Sequence, residues 1–414
     1  MTKEQGGAGK ARQALMSVDE ALAQLLAQAR PVPDVEEIPT LEATNRVLAR
    51  AQRSTMDVPP MDNSAMDGYA VRVADLQEGK PLRIAQRIMA GSVGKPLEPG
   101  TAARIFTGAP VPPGADAVVM QEDCEVSGEA VSIRKKPDAG QWIRRTASDI
   151  ARGAEILPAG KRLRPQDTGL AASVGIGSLP VYRRLRLGLF FTGDELVMPG
   201  EPLAPGRIYN SNRFTLRGLA ETFGCEIFDY GIVPDSLEAT REVLRRAAAE
   251  CDLIVTSGGV SVGDADFVKP AVEAEGRLLM WKIAMKPGRP LAFGEVRAGA
   301  KTAFFIGLPG NPVSSFVTFL VFVRPFLRKC QGATQAEPHA LQARADFDWP
   351  HPDPRREFLR VKWNAQGGLD LYPTQDSAVL TSTAWADGLV DNPAQKAIRK
   401  GDLVRFLPYS ELYG

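Results

Sequence analysis

Asp252-Leu253-Ile254-Val255-Thr256 running into Ser257-Gly258-Gly259-Val260-Ser261-Val262-Gly263-Asp264-Ala265-Asp266 is the stretch on which the fold turns. Its first five residues form a short apolar run of the kind that makes a strand buried on both faces. The paired glycines and the serines behind it are the punctuation of a strand-to-helix turn. Similar runs at 185–191, 225–230 and 302–308 alternate with helical patterns at 211–223, 236–250 and 312–329. Such alternation needs crossover connections, so it predicts a parallel sheet with helices on both faces. Asn311-Pro312 supplies a helix start, Asn as N-cap and Pro in the first turn.

On either side of this unit the texture changes. Near the N-terminus Ser17 and Glu20 have capping-box spacing, and Ala21, Leu22, Leu25, Leu26 and Ala29 follow at helical intervals up to Pro31. From about 56 to 150, β-like runs at 102–106, 117–121 and 130–133 are interrupted by prolines and glycines, which predicts a small β-rich domain. Residues 153–182 read as a β/helix mixture that rejoins the N-terminal helix, making the β-rich segment an insertion. After about 331, runs at 358–363 and 369–372 flank the turn-rich 364–368 and predict a small β-barrel or sandwich. The divisions expected are 14–56 with 148–182, then 57–147, 183–330 and 331–414.

Composition narrows the chemistry. At 414 residues, with 44% hydrophobic and 24% charged residues, the chain has ordinary globular makeup, and its length alone suggests about three domains at ~150 residues each. Lys+Arg 50 against Asp+Glu 49 leaves +1, which gives no global field for nucleic acid or anionic lipid. The two histidines, His339 and His351, both stand beside prolines late in the chain, leaving almost no material for a Ser-His-Asp relay, a His-rich zinc site or a His base. Four scattered cysteines make no CxxC pair and suit a reducing cytosol. No apolar leader follows Met1, and the apolar run 313–323 is shorter than the ~20 residues a span needs, so the expected location is the cytoplasm. Chemistry is left to carboxylates, lysines, backbone amides and a hard metal ion.

In an α/β unit, ligands gather at the carboxyl ends of the strands. Three loops fall there: Thr192-Gly193-Asp194-Glu195, the 257–266 loop, and Gly307-Leu308-Pro309-Gly310-Asn311-Pro312. Paired glycines let successive amides converge on an anion, and serines add donors. Glu195 and Asp266 on that rim are candidates to hold Mg²⁺. The alternative is that Gly258 and Gly259 only shape a turn. Lys282 and Lys286, four apart on an extended segment, project on one face toward an oxyanion, or else guard a strand edge. In the β-rich segment, Asp62-Asn63-Ser64-Ala65-Met66-Asp67-Gly68-Tyr69 packs acids and amide into a turn, and Phe106-Thr107-Gly108 closes a strand with Thr107 as a donor.

Taken in order, the strings PMDNSAMDGYA, FTGAPVPPGADAVVMQED, FTGDEL, TSGGVSVGDADF, WKIAMKPGRPLAFG and GLPGNPVS resemble one family, the molybdopterin molybdenumtransferases, or MoeA family, which includes the E domain of gephyrin. The resemblance spans nearly the whole chain. It implies a multidomain α/β fold: a linker domain, an inserted β-rich domain, an αβα domain with a parallel-rich sheet and a C-terminal β-barrel. It also implies a homodimer whose cleft lies between the αβα domain of one subunit and the β-rich domain of the other. The implied reaction inserts molybdate into adenylylated molybdopterin and releases AMP, assisted by Mg²⁺ or another divalent cation.

Carried over position by position, the resemblance gives functional roles to Asp62, Thr107 and Asp149 in the β-rich domain. It places Glu195, Asp235 and Asp266 around nucleotide and metal, and Ser257, Gly258, Gly259 and Ser261 on phosphate. Lys282 and Lys286 fall beside molybdate and the pterin phosphate, and Pro309 and Pro312 shape the pocket floor. Arg356, Arg360 and Ser377 look like contacts on the molybdate side. Pro373-Thr374-Gln375 departs from the Gly-His-Gln the family often has before that serine. Other proteins of molybdenum cofactor maturation are the expected partners, with no nucleic acid and no membrane. Two other functions stay open at this point: the preceding adenylyltransferase step, and a non-catalytic dimeric scaffold.

Overall fold

The computed structural model describes residues 15–259, 267–288 and 290–413. Helix α1 (Val18–Gln28) begins with the expected capping box: the Glu20 amide donates to Ser17 Oγ at 3.2 Å and the Ser17 amide to the Glu20 carboxylate at 3.0 Å. Its buried stripe, Val18, Ala21 and Leu25, joins the core of the αβα unit. The return segment therefore rejoins the N-terminal region through strands, not through this helix. Strand β1 (Val35–Pro39) pairs antiparallel with a strand at Ser178–Tyr182, and a separate small core of Leu48, Leu157, Leu163, Ala171, Leu179 and Val181 lies beneath.

Between those two strands the β-rich unit forms one sheet. It contains β2 (Gly68–Val71), β3 (Leu82–Ile88), β4 (Thr101–Ile105), β5 (Ala117–Met120), β6 (Cys124–Ser127) and β7 (Ala130–Ile133), in the order β5-β2-β4-β3-β7-β6. Only β3 and β4 run parallel. Helix α2 (Pro165–Ser173) and β8 (Ser178–Tyr182) then complete the return.

The αβα unit comprises β9 (Arg186–Thr192), α3 (Ser211–Thr222), β10 (Glu226–Val233), α4 (Leu237–Glu250), β11 (Leu253–Ser257), α5 (Val268–Glu275), β12 (Gly276–Lys282), β13 (Pro290–Ala298) and β14 (Lys301–Leu308). Its sheet order is β10-β9-β11-β14-β13-β12. The first four strands are parallel, as the alternation predicts; β12 and β13 add an antiparallel edge. One face buries against α1, α3 and the helices after β14, the other against α4 and α5. The final helical stretch, read as one helix, is α6 (Pro312–Thr318), a π-turn at Phe319–Val323 and α7 (Arg324–Cys330). The wider turn places Pro325 in the first turn of α7, where it costs no hydrogen bond.

The C-terminal unit contains β15 (Leu341–Arg344), β16 (Arg356–Trp363), β17 (Leu369–Leu371), α8 (Thr381–Trp385), β18 (Gly388–Asn392) and β19 (Leu403–Pro408). Strands β16, β18, β19 and β15 pair in sequence, β17 pairs with β16, and a bridge from Ala345 to Leu369 closes the ring into a small barrel. The two-residue strand Met285–Lys286 also joins this sheet, parallel to β16.

Candidate active site

Because β9, β11 and β14 are parallel neighbours, their carboxyl ends emerge together. The loops after them line a cleft of about 1060 Å³ with the N-termini of α3 and α6. A helix N-terminus carries unpaired amides and a positive partial charge, so two converging on one cleft favour an anion. Gly258 (φ +96°) and Gly259 (φ +64°) take left-handed conformations. A Cβ on Gly259 would come within 2.9 Å of Thr192 Oγ1 and 2.6 Å of Val268 Cγ2. The two readings of this pair merge: glycine is needed for the turn, and the turn brings backbone to the cleft wall.

Behind the loops a hydrogen-bonded knot fixes their spacing. Asn212 Nδ2 donates to Ser257 Oγ at 2.7 Å and to the Gly310 carbonyl at 2.8 Å. Ser257 Oγ lies 3.0 Å from Ser315 Oγ and 3.1 Å from the Pro309 carbonyl, to which Ser315 also donates. One serine thus ties the ends of β11 and β14 to the start of α3. Asn311 occupies the expected N-cap position, yet its side chain makes no capping bond. Its Nδ2 donates instead to Ser377 Oγ at 3.0 Å, and the Val313 amide donates to the Ser377 carbonyl at 3.1 Å. The C-terminal barrel is thereby pinned against the cleft.

Lys286 and Arg355 bring cationic charge to the same wall. Lys286 Nζ is 3.4 Å from both Asp353 and Glu357, while Arg355 grips Asp353 through two bonds of 2.7 and 2.9 Å. That guanidinium, first among several causes, holds the Asp353 carboxyl well below the usual range. Trp349 Nε1 donates to the buried Glu357 at 2.7 Å. Two carboxylates thus orient two cations.

Of the residues singled out in the sequence, Glu195, Ser257, Gly258, Gly259, Lys286, Pro309, Pro312 and Ser377 line the cleft. Asp235 sits behind it, accepting from the Asp194 amide at 3.1 Å. Its carboxyl is pushed up, first by burial and then by the negative charges of Asp194 and Glu195. Negative charge around Asp235 makes Glu195 and Asp235 the described candidates for a hard cation, although two carboxylates alone do not form a site. Ser261 and Asp266 lie outside the described residues. Among the described residues no three His, Cys, Asp or Glu side chains assemble as a metal-binding group.

Lys282 parts company with Lys286. The alternation holds, with Trp281, Ile283 and Met285 buried and the lysines outward. Met16 inserts beside Ile283, its amide donating to the Lys282 carbonyl and its own carbonyl accepting from Ala284, and the chain crosses from one sheet to the other there. Lys282 ends β12 in the αβα sheet, exposed, while Lys286 pairs with the barrel.

The two arginines expected at molybdate also lie elsewhere. Arg356 binds Asp391 at 2.6 Å and Asp19 at 2.7 Å in a separate cavity beside α1. Arg360 is 1% exposed; its guanidinium donates to Ser382 Oγ and to the Phe358 and Asp376 carbonyls, and burial pushes it down to about 10. It braces the 376–382 loop from the face of β16 that packs on the αβα unit, since Phe358 joins that core while Leu359 and Val361 fill the barrel. Arg355, the residue just before β16, reaches the cleft instead. Arg355, Asn212, Asn311, Gln375 and Asp376 line the cleft and were missed. Arg355 adjoins the quoted Arg356, but β16 is buried on both faces, so no alternation in the sequence points to it.

In the β-rich unit, Asp62 accepts from the Thr146 amide at 2.8 Å, the Thr146 hydroxyl at 3.1 Å and Arg145 at 2.6 Å. The Thr146 amide first, then Arg145 and the hydroxyl, hold its carboxyl below the ordinary range. Thr107 donates amide and hydroxyl to Asp67, each at 2.8 Å, and these bonds lower Asp67. Asp149 is exposed, with its amide on the Val58 carbonyl. Asp62, Thr107 and Asp149 occupy loops of one rim, and none lines the cleft of its own chain.

A fold of this kind, with acids, lysine and arginine around an anion-favouring cleft at parallel strand ends, defines a protein that handles a phosphorylated or oxyanionic ligand. Family models match in chain order: the MoeA N-terminal region (domain I and II) over residues 16–175, a probable molybdopterin binding domain over 188–329, and the MoeA C-terminal region (domain IV) over 342–409. A molybdopterin molybdenumtransferase of Haemophilus influenzae is 38% identical over 97% of this chain and 100% of its own length. Molybdopterin molybdenumtransferase 2 of Mycobacterium tuberculosis is 38% identical over 90% of this chain and 93% of its own. The crystal structure of a molybdopterin biosynthesis moeA protein from Pyrococcus horikoshii superposes with a TM-score of 0.83 at 30% identity, covering 96% of this chain and 100% of that one. The chain belongs to the molybdopterin molybdenumtransferase (MoeA) family, transferases of molybdenum cofactor biosynthesis.

Proposed function

We propose that this protein inserts molybdate into the dithiolene of adenylylated molybdopterin with release of AMP, acting as a homodimer with Mg²⁺ or another divalent cation. The observation that carries the reading is the cleft itself, which combines three strand-end loops, two helix N-termini and the pair Lys286 and Arg355. Such a cleft suits a reaction whose substrate is already activated. The adenylate phosphoanhydride is the reactive bond, so the chain needs neither a nucleophile nor a histidine base.

The loop at Ser257-Gly258-Gly259 and the start of α3 would receive phosphate, and Ser261 belongs to the same loop in this reading. Lys286, Arg355 and Ser377 would meet the molybdate oxyanion, with Pro309 and Pro312 as floor. Lys282 would assist only at the cleft's outer margin. Glu195 and Asp235, with Asp266, would hold the divalent ion, which supplies charge neutralisation at the phosphoanhydride. Preorganised charge of this kind is usually the largest catalytic contribution.

Asp62, Thr107 and Asp149 would face the cleft of the second subunit. Their absence from their own chain's cleft supports that assignment, as do the exposed apolar side chains of Ile208, Tyr209 and Phe214 near the cleft, which a second copy would cover. The division into linker, inserted, αβα and barrel domains at 14–56 with 148–182, 57–147, 183–330 and 331–414 is kept, except that α1 packs with the αβα unit. No helix of the described residues is long and apolar enough to cross a membrane. The deciding experiment presents adenylylated molybdopterin and molybdate to the purified protein. AMP should appear with molybdate and not without it, and no adenylylated product should form from ATP and molybdopterin. The reverse pattern would assign the preceding step.

A further inference from the structure

A second cavity, about 190 Å³, lies on the far side of α3 from the cleft, at its C-terminus. One wall is the linker unit, with Asn45 and Arg46 from its N-terminal part and Arg162 from the return segment; the other is the αβα unit, with Arg183, Arg184 and the Phe223-Gly224 corner. Four arginines line it against one acid, Glu221, which is already paired with Arg217 at 3.0 Å. Arg46 is held by Glu36 and Arg183 by Asp34 and Asp252. Arg184 has only the Gly224 carbonyl, at 3.2 Å. Arg162 is the anomaly: its Nε is buried without a hydrogen-bond partner.

Behind this wall stand two further arginines, Arg324 and Arg328, 4% and 3% exposed. Arg324 spends its donors on the carbonyls of Leu412, Ala336 and Glu411, and Arg328 lies over the Phe223 ring at 5.0 Å. Burial first, then the positive charges of Arg162 and each other, push Arg328 down to about 9; burial and Arg162 push Arg324 down to about 10. Both still carry their charge at neutral pH, so the fold keeps three like charges in mutual repulsion. A buried donor left unmet and a surplus of positive charge cost free energy unless an anion fills the space. The volume would hold about six waters at ~30 Å³ each, room enough for one small oxyanion and its residual shell.

We propose that this cavity binds a small tetrahedral oxyanion of the phosphate, sulfate or molybdate class, with Arg162 as its principal donor and Arg184 opposite. The anion bridges the return segment and the αβα unit, and so fixes the angle between the β-rich insertion and the strand-end cleft. It is separate from the cleft and needs no substrate there.

The test is thermal unfolding of the full chain in chloride at matched ionic strength, titrated with inorganic phosphate, sulfate or molybdate, with calorimetric titration of inorganic phosphate alongside. Wild type should show a saturable rise in Tm and one Arg162-dependent phosphate per chain, beyond any held in the strand-end cleft. R162Q should bind phosphate at least about tenfold more weakly, since charge-assisted bonds to an anion are the strong ones. Because Arg162 has no partner to lose, R162Q in chloride should melt no lower than wild type. K286A, altered only in the cleft, should keep the Arg162-dependent phosphate site. A response to all three anions identifies a general phosphate-class site, and one to molybdate alone identifies the substrate oxyanion as its source. Equal anion binding by wild type and R162Q, or no saturable response to any of the three anions, overturns the proposal; calorimetry, run with molybdate where only molybdate raises Tm, decides this even if R162Q melts lower.

Discussion

The strand-end cleft and the rim of the β-rich unit use their functional side chains oppositely. In the cleft, Ser257, Asn212 and Asn311 are neutral groups that hold backbone in place, and the charges of Lys286 and Arg355 are only partly met by carboxylates. On the β-rich rim, Asp62 and Asp67 are saturated by Thr146, Arg145 and Thr107, which keeps both carboxylates ionised. One region offers cations that Asp353 and Glu357 orient, beside helix N-termini. The other offers fixed negative charge whose geometry is settled before any ligand arrives. Pairing such surfaces across two subunits would place a cation-loaded anhydride between complementary walls, which neither unit provides alone.

Glu195→Ala should show the largest effect. AMP release should fall about 10²–10³-fold, the usual loss when one preorganised charge is removed, while the chain stays folded and retains adenylylated molybdopterin. Rapid-quench measurement of AMP checks this; near-normal release would erase the distinction between the regions. Lys286→Ala should weaken molybdate use about tenfold. It should also cost roughly 1–3 kcal/mol in denaturant unfolding, because the buried Glu357 loses its cation.

Ser257→Ala should cost a similar ~1–3 kcal/mol by stranding Asn212 and Ser315. Its activity loss should appear in binding of the adenylate, read by equilibrium titration.

The smallest effects sharpen the electrostatic contrast. Asp235 has a raised native pKa, so its charge opposes folding as pH rises through that value. Asp235→Asn should therefore be more stable than wild type at neutral pH and equal to it in acid. Added Mg²⁺ should narrow the gap by stabilising wild type, as melting curves would record. Asp62 has a depressed native pKa, so its contribution is present above the ordinary carboxylate range and lost as pH falls toward the native value. Asp62→Asn should remove that acid limb while changing neutral-pH stability little, since Arg145 and Asp62 are both well exposed. A neutral-pH loss comparable to Ser257→Ala would mean that the β-rich rim is a folding element and not a prepared surface.

Much of this molecule could be read before its structure. The capping box of α1, the parallel order of β9, β11 and β14, and the glycine pair at 258–259 are local in cause: side-chain oxygens near amides, hydrophobic period and allowed φ. The antiparallel pair β12 and β13 escaped, because nothing in the local apolar pattern fixes strand direction. Asn311 was placed correctly as an N-cap, yet its side chain serves Ser377, sixty-six residues away.

The sequence by itself determined which elements form, where the glycines must be, and which loops end the parallel strands, since these follow from period, propensity and backbone sterics. Only the tertiary structure decided which charges act together. Lys282 and Lys286 separate where Met16 enters between two sheets, Arg355 and not Arg356 or Arg360 reaches the cleft, and Arg162 meets Arg324 and Arg328 across a unit boundary. Electrostatic partnership depends on distance in space and on burial, neither of which spacing along a chain encodes.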